Sequence, residues 1–217
     1  MNDEDTEQTK GGTIRRRVLN VLGGLGVLSF FGALLTPLKD LSIATGTSAV
    51  DLEGQELVVA SNEFTPAGGS ETYSRGDSVT ADIFEERPDS VLVAPTDLVD
   101  VDSYLIRLYY LESDQYSEPT RLDWVDQGFS AYSAVCTHLG CTVGWENEDD
   151  QPSNAPEDAR EGPSGLCPCH LSGFDPYRGS EIISGPATRP VPQIGVEVAE
   201  DGTIRLTGNF EGEVGAS

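Results

Sequence analysis

Cys136-Thr137-His138-Leu139-Gly140-Cys141 and, after residues 142–166, Cys167-Pro168-Cys169-His170 hold every cysteine and every histidine in this chain of 217 residues. A chain that spends all of them on two boxes builds one site with them. Cys and His mixed at short spacing is also how zinc is held, usually in C-x2-4-C knuckles around a tetrahedral ion. Two features count against zinc here. C-x-C is shorter than such a knuckle and reads as an extended strand, and six candidate ligands exceed the four that such a site needs. A covalently attached haem is excluded, because no C-x-x-C-H occurs.

The pattern C-x-H-x2-C followed by C-x-C-H resembles the Rieske iron–sulfur proteins, in which two histidines replace two cysteines on one iron of a 2Fe–2S centre. More narrowly, it is similar to the branch with an extra cysteine in each box. The specific likeness covers about residues 129–192. It implies one 2Fe–2S cluster per subunit, with Cys136 and Cys167 on the buried iron and His138 and His170 on the outer one. It further implies a disulfide between Cys141 and Cys169, and a hydrogen bond from the Ser172 hydroxyl to a cluster sulfur. Gly185-Pro186-Ala187-Thr188-Arg189-Pro190 resembles the family's cluster-covering loop, with Gly185, Pro186 and Pro190 as its stiff points. His138 and His170 would be the catalytic, proton-coupled contacts, and Leu139 would face quinol.

Two positions depart from the family. Phe174 stands where many relatives carry tyrosine, and it has no hydroxyl to donate. Donors to sulfur raise the potential of such centres, so Phe174 implies a low potential, suited to menaquinol. Leu171 replaces the usual glycine.

The charge is strongly one-sided. Acidic residues number 37 against 13 basic, a formal net charge of −24, and the only lysines are Lys10 and Lys39. Nucleic-acid binding needs a basic footprint and is excluded. The acidic, lysine-poor composition points to a halophilic setting, where salt screens self-repulsion. A disulfide would place the domain in an oxidising compartment.

In chain order, residues 1–17 read as a cytoplasmic tail ending in Arg15-Arg16-Arg17, similar to a twin-arginine export signal. Val18 to Leu38 carries no charge, and at helical rise it reaches roughly 30 Å, one bilayer core. It reads as a single transmembrane anchor with the arginine flank inside, which puts the protein in the cytoplasmic membrane and its C-terminal domain outside. Residues 39–54, rich in Ser, Thr and Gly, read as a flexible linker. Residues 55–217 form the domain proper, with a small cluster-binding subdomain at about 129–192.

That domain is expected to be mainly antiparallel β. Strands are expected at Leu57–Ala60, Val79–Phe84, Val91–Ala94, Tyr104–Leu111, Phe129–Val135, Gln193–Val198 and Thr203–Thr207. Asp201-Gly202 signals a hairpin between the last two. The acidic, proline-containing stretch 146–161 reads as a solvated loop. Residues 55–128 carry no functional motif.

Together these readings suggest the Rieske subunit of a cytochrome bc-type quinol oxidoreductase. It would work with a cytochrome b-type membrane subunit and pass electrons to a c-type cytochrome or blue-copper acceptor. The alternative is the small Rieske subunit of an exported molybdenum oxidoreductase such as arsenite oxidase. A soluble Rieske ferredoxin fits poorly with the span and the paired extra cysteines.

Overall fold

The computed structural model describes residues 50–146 and 162–216. The expected tail, the anchor and most of the linker lie outside the described residues, as does most of the acidic stretch at 147–161. Among the described residues no helix is long and apolar enough to cross a membrane.

Strands β1 (Leu57–Val59), β2 (Glu63–Phe64), β3 (Tyr73–Ser74), β4 (Asp89–Pro95), β5 (Ile106–Tyr110) and β6 (Phe129–Ser133) lead to the first box. β7 (Gly144–Glu146), β8 (Ser164–Leu166), β9 (Gly173–Asp175) and β10 (Glu181–Ser184) surround the second. β11 (Gln193–Ile194), β12 (Val196–Val198) and β13 (Ile204–Leu206) follow. The main sheet has the order β1-β4-β5-β6-β11, and a second sheet has the order β10-β9-β8-β7. All their pairings are antiparallel.

The strand period of two sorts the main sheet's side chains onto two faces. Val91, Val93, Ile106, Leu108, Phe129 and Ala131 belong to the base core. Tyr109 and Tyr132 belong instead to a second core that includes Cys136, Val143, Cys167 and Phe174. The site is thus mounted on the back of the main sheet. Coverage on both faces explains why β6 is buried along its whole length rather than alternating.

Four of the expected strands each contain one strand of the structure, Val91–Ala94 lies inside the longer β4, and Gln193–Val198 contains two, broken at Gly195. β12 and β13 pair through the expected Asp-Gly turn, with Gly202 at φ 84°. Val79–Phe84 is a correction: Ala81–Ile83 forms a 3-10 turn. A strand would send Ile83 and Phe84 to opposite faces, yet both are buried in one core, with Phe84 edge-on to Phe129 at 5.1 Å. The extended reading of C-x-C is also corrected, because Pro168–His170 lie in a turn. Leu52, within the expected linker, is buried in the base core, and the Gly54 N–H donates to the Leu206 C=O.

The motif-poor residues 112–128 turn out to steady the site sheet. Ser117 N–H and Thr120 Oγ1 both donate to the Tyr177 C=O, and Tyr132 Oη donates to the Pro176 C=O at 3.2 Å. These bonds hold the turn between β9 and β10 against the main sheet.

Candidate metal centre

The two boxes are the same turn built twice. In the first, Cys136 N–H donates to the Cys141 C=O, and Gly140 N–H returns to the Cys136 C=O. In the second, Cys167 N–H donates to the Ser172 C=O, and Leu171 N–H returns to the Cys167 C=O. Each turn needs a left-handed residue at its fifth position: Gly140 at φ 79° and Leu171 at φ 57°. Glycine takes that conformation freely and leucine does not. Leu171 packs against buried Leu166, as Ile183 also does, which offsets the strain and explains how a leucine stands there.

The turns bring the six Cys and His residues to one end of the second core. Cys141 and Cys169 form a disulfide, with S–S 2.07 Å. Cys136 and Cys167 are free and buried. Burial pushes the Cys136 thiol up, while backbone N–H groups of His138 and Leu139 bonding to its sulfur pull it down. A hydrogen bond to the Cys167 thiol adds to the upward shift, so the two thiols are neighbours. The His138 and His170 rings meet edge to face at 4.7 Å between centroids. His138 Nδ1 is buried without a hydrogen-bond partner. His170 and Leu139 are exposed, Leu139 at 63%.

A buried polar atom left unpaired is costly. An orphaned imidazole nitrogen beside two buried free thiols therefore fits metal ligation. The donor chemistry, two sulfurs and two imidazoles, fits a 2Fe–2S centre with mixed ligands. It fits zinc less well. The three sulfurs of Cys141, Cys167 and Cys169 lie within 4.8 Å of one another, but the disulfide leaves that trio one free thiol.

The neighbouring groups are placed as follows. Ser172 is fully buried, and its Oγ accepts the Ala187 N–H at 3.0 Å, leaving its own proton free to donate elsewhere. Phe174, on β9, packs in the same core as Cys136 and Cys167. Gly185 opens the proline-containing loop at φ 78°, and a Cβ there would fall 2.5 Å from Ser172 Cα. The loop therefore lies directly on the second box, with Pro186 and Pro190 exposed. Sequence reading missed Arg107, whose Nη2 donates to the Val143 C=O and ties β5 to the residue just before β7. An arginine inside the apolar pattern of β5 was the available signal.

Comparison with known proteins agrees with this geometry. The Rieske 2Fe–2S domain profile matches residues 35–195. A Haloferax mediterranei protein, named provisionally as the Rieske subunit of a respiratory nitrate reductase, is 30% identical over 95% of this chain and 82% of its own length. The cytochrome bc1 complex Rieske iron–sulfur subunit of Streptomyces lividans is 34% identical over 48% of this chain and 55% of its own length. The soluble domain of the Rieske protein II from Sulfolobus acidocaldarius superposes with TM-score 0.39 and 23% identity, covering 52% of this chain and 65% of that one. The chain belongs to the Rieske iron–sulfur family, whose domain binds a 2Fe–2S cluster and transfers electrons.

Proposed function

We propose that the chain is the membrane-anchored Rieske subunit of a quinol-oxidising, cytochrome bc-type complex. Residues 18–38 are read as its anchor, 39–54 as its tether and 1–17 as a cytoplasmic, export-directing tail. Cys136, His138, Cys167 and His170 would hold the cluster. When bound, the 2Fe–2S group supplies one-electron redox chemistry.

The surface beside the two imidazoles supports quinol as the donor. Leu139 is 63% exposed next to His138, an apolar lip fitted to a quinol ring. His138 Nδ1 is the buried, unpartnered nitrogen, so Nε2 is the atom left to meet the donor. Once bound charge has acidified Nε2–H and its proton is lost, Nε2 would accept a hydrogen bond from the quinol hydroxyl and then its proton, and exposed His170 would offer a second such contact. The proline loop and the disulfide keep water from the buried thiols. Phe174 offers no hydroxyl to a cluster sulfur, which favours a low-potential donor, menaquinol. The electron leaves to an exported c-type haem or blue-copper acceptor.

The Haloferax relative favours a second reading, because its name pairs a Rieske subunit with a nitrate reductase. In that reading the large partner is an exported molybdenum oxidoreductase. Fold and cofactor alone do not choose between the two. Purification from native membranes, with the co-purifying subunits identified by mass spectrometry, separates them. A multi-span b-type cytochrome is the expected companion. A molybdopterin-binding large subunit in its place would move the chain to the second reading, and recovery in the soluble fraction would overturn the anchor.

A further inference from the structure

The cluster-covering loop is held from outside the residues that define the family. The family match ends at residue 195, and the chain continues through the β12–β13 hairpin into residues 207–216. This tail returns to the site. Glu211 N–H donates to the Gln193 C=O at 2.9 Å, which lays the tail beside β11. Arg189, inside the loop, then donates through Nη1 to the Glu213 C=O and through Nη2 to the Gly215 C=O, each at 2.6 Å. One planar guanidinium spans both carbonyls, a fork that lysine cannot reproduce.

Arg189 is also joined to both boxes. Its own C=O accepts Thr137 Oγ1 at 2.6 Å, one residue after Cys136. Two residues before it, Ala187 N–H donates to Ser172 Oγ at 3.0 Å. A hydroxyl that accepts at one lone pair has fewer directions left for its proton. The placement of the loop therefore decides where the Ser172 proton points.

We infer that Arg189 is a positioning residue: its fork onto the tail carbonyls holds the Ala187 N–H on Ser172 Oγ and so aims the Ser172 hydroxyl at the cluster. The inference rests on the reading of Ser172 as a donor to a cluster sulfur. It also explains why no motif marks the tail. Both acceptors are main-chain carbonyls, so Arg189 reads the path of the tail and not the side chains of Glu213 and Gly215.

The test is a redox titration followed by electron paramagnetic resonance on the full, cluster-loaded chain, comparing Ser172→Ala, Arg189→Gln, Arg189→Lys and the double variant Ser172→Ala/Arg189→Gln. Ser172→Ala is expected to lower the midpoint potential. Arg189→Gln lowers it by less and shifts the g-values in the same sense. Arg189→Lys keeps the charge but loses the fork, and shifts the potential nearly as far as Arg189→Gln. In the Ser172→Ala background Arg189→Gln adds nothing. Independently of the cluster, the Ala187 amide should exchange with solvent about tenfold faster in Arg189→Gln.

Full additivity on Ser172→Ala, or rescue by lysine, would show Arg189 acting as a charge and overturn the inference. A shift in Ser172→Ala with none in Arg189→Gln overturns the inference alone. No shift in Ser172→Ala removes the underlying reading as well.

Discussion

Leu171 carries a conflict that the backbone reveals and the sequence hides. Its φ of 57° costs an L-residue about 1–2 kcal/mol, and contact with Leu166 offsets it. Leu171→Ala loses the contact and keeps the strain, whereas Leu171→Gly loses both. The glycine variant should therefore be the more stable by about 1 kcal/mol, the reverse of the usual order for this pair, as read by denaturant titration. Phe174 makes the opposite kind of prediction. Its ring packs in the same core as Cys136 and Cys167, so Phe174→Tyr brings a hydroxyl into that core. A hydrogen bond to a charged acceptor is worth about 1.5–3 kcal/mol, which for one electron raises the midpoint potential by roughly 60–130 mV. An unchanged potential in the titration would mean that the new hydroxyl finds no sulfur.

The elements that build the site are short turns and shorter strands, and the disulfide is what joins them. Cys141–Cys169 closes a separation of 28 residues. In the chain-entropy account, removing such a link costs about 3–4 kcal/mol. The double variant Cys141→Ser/Cys169→Ser should lose that much in thermal or chemical unfolding and retain less cluster per chain. Stability equal to the parent would show that the two boxes are held by packing alone. None of β7 to β10 was expected from the sequence, and the reason is physical. They are three or four residues long, and β7, β8 and β9 carry Gly144, Gly165 and Gly173, a residue that strand propensity disfavours. A Cβ on Gly165 would come within 2.7 Å of the Tyr109 hydroxyl on β5. That glycine is required by a neighbour more than fifty positions away in the chain, and no local window contains the cause.

At the scale of the molecule, charge dominates. The formal net charge is −24, while the described ion pairs of Arg75, Arg121, Arg178 and Arg205 sit at the surface, where each is worth about 0–1 kcal/mol. Salt screens the repulsion more than it loses in pairs. The melting temperature should therefore rise with salt, and a maximum in dilute buffer would sink the halophilic reading. Burial raises the carboxyls of Asp89 and Asp175 above the usual range. The fold then holds these protons more tightly than the unfolded chain does. Their ionisation costs stability at neutral pH, and that stability returns as pH falls from the raised values toward the ordinary carboxylate range. Melting curves at low salt should show this gain on mild acidification, and Asp89→Asn with Asp175→Asn should reduce it. The sequence by itself determined the donor chemistry of the site, the charge of the surface and most of the main-sheet strands. Those depend on residue identity, short spacing and local periodicity, which a linear chain displays in full. Only the tertiary structure decided which face of the main sheet carries the site, the left-handed fifth residue of each box, the glycines of the site sheet and the fork of Arg189 onto the tail. Each of those arises where segments far apart in the chain approach within a few ångströms, and that proximity is written in no single stretch.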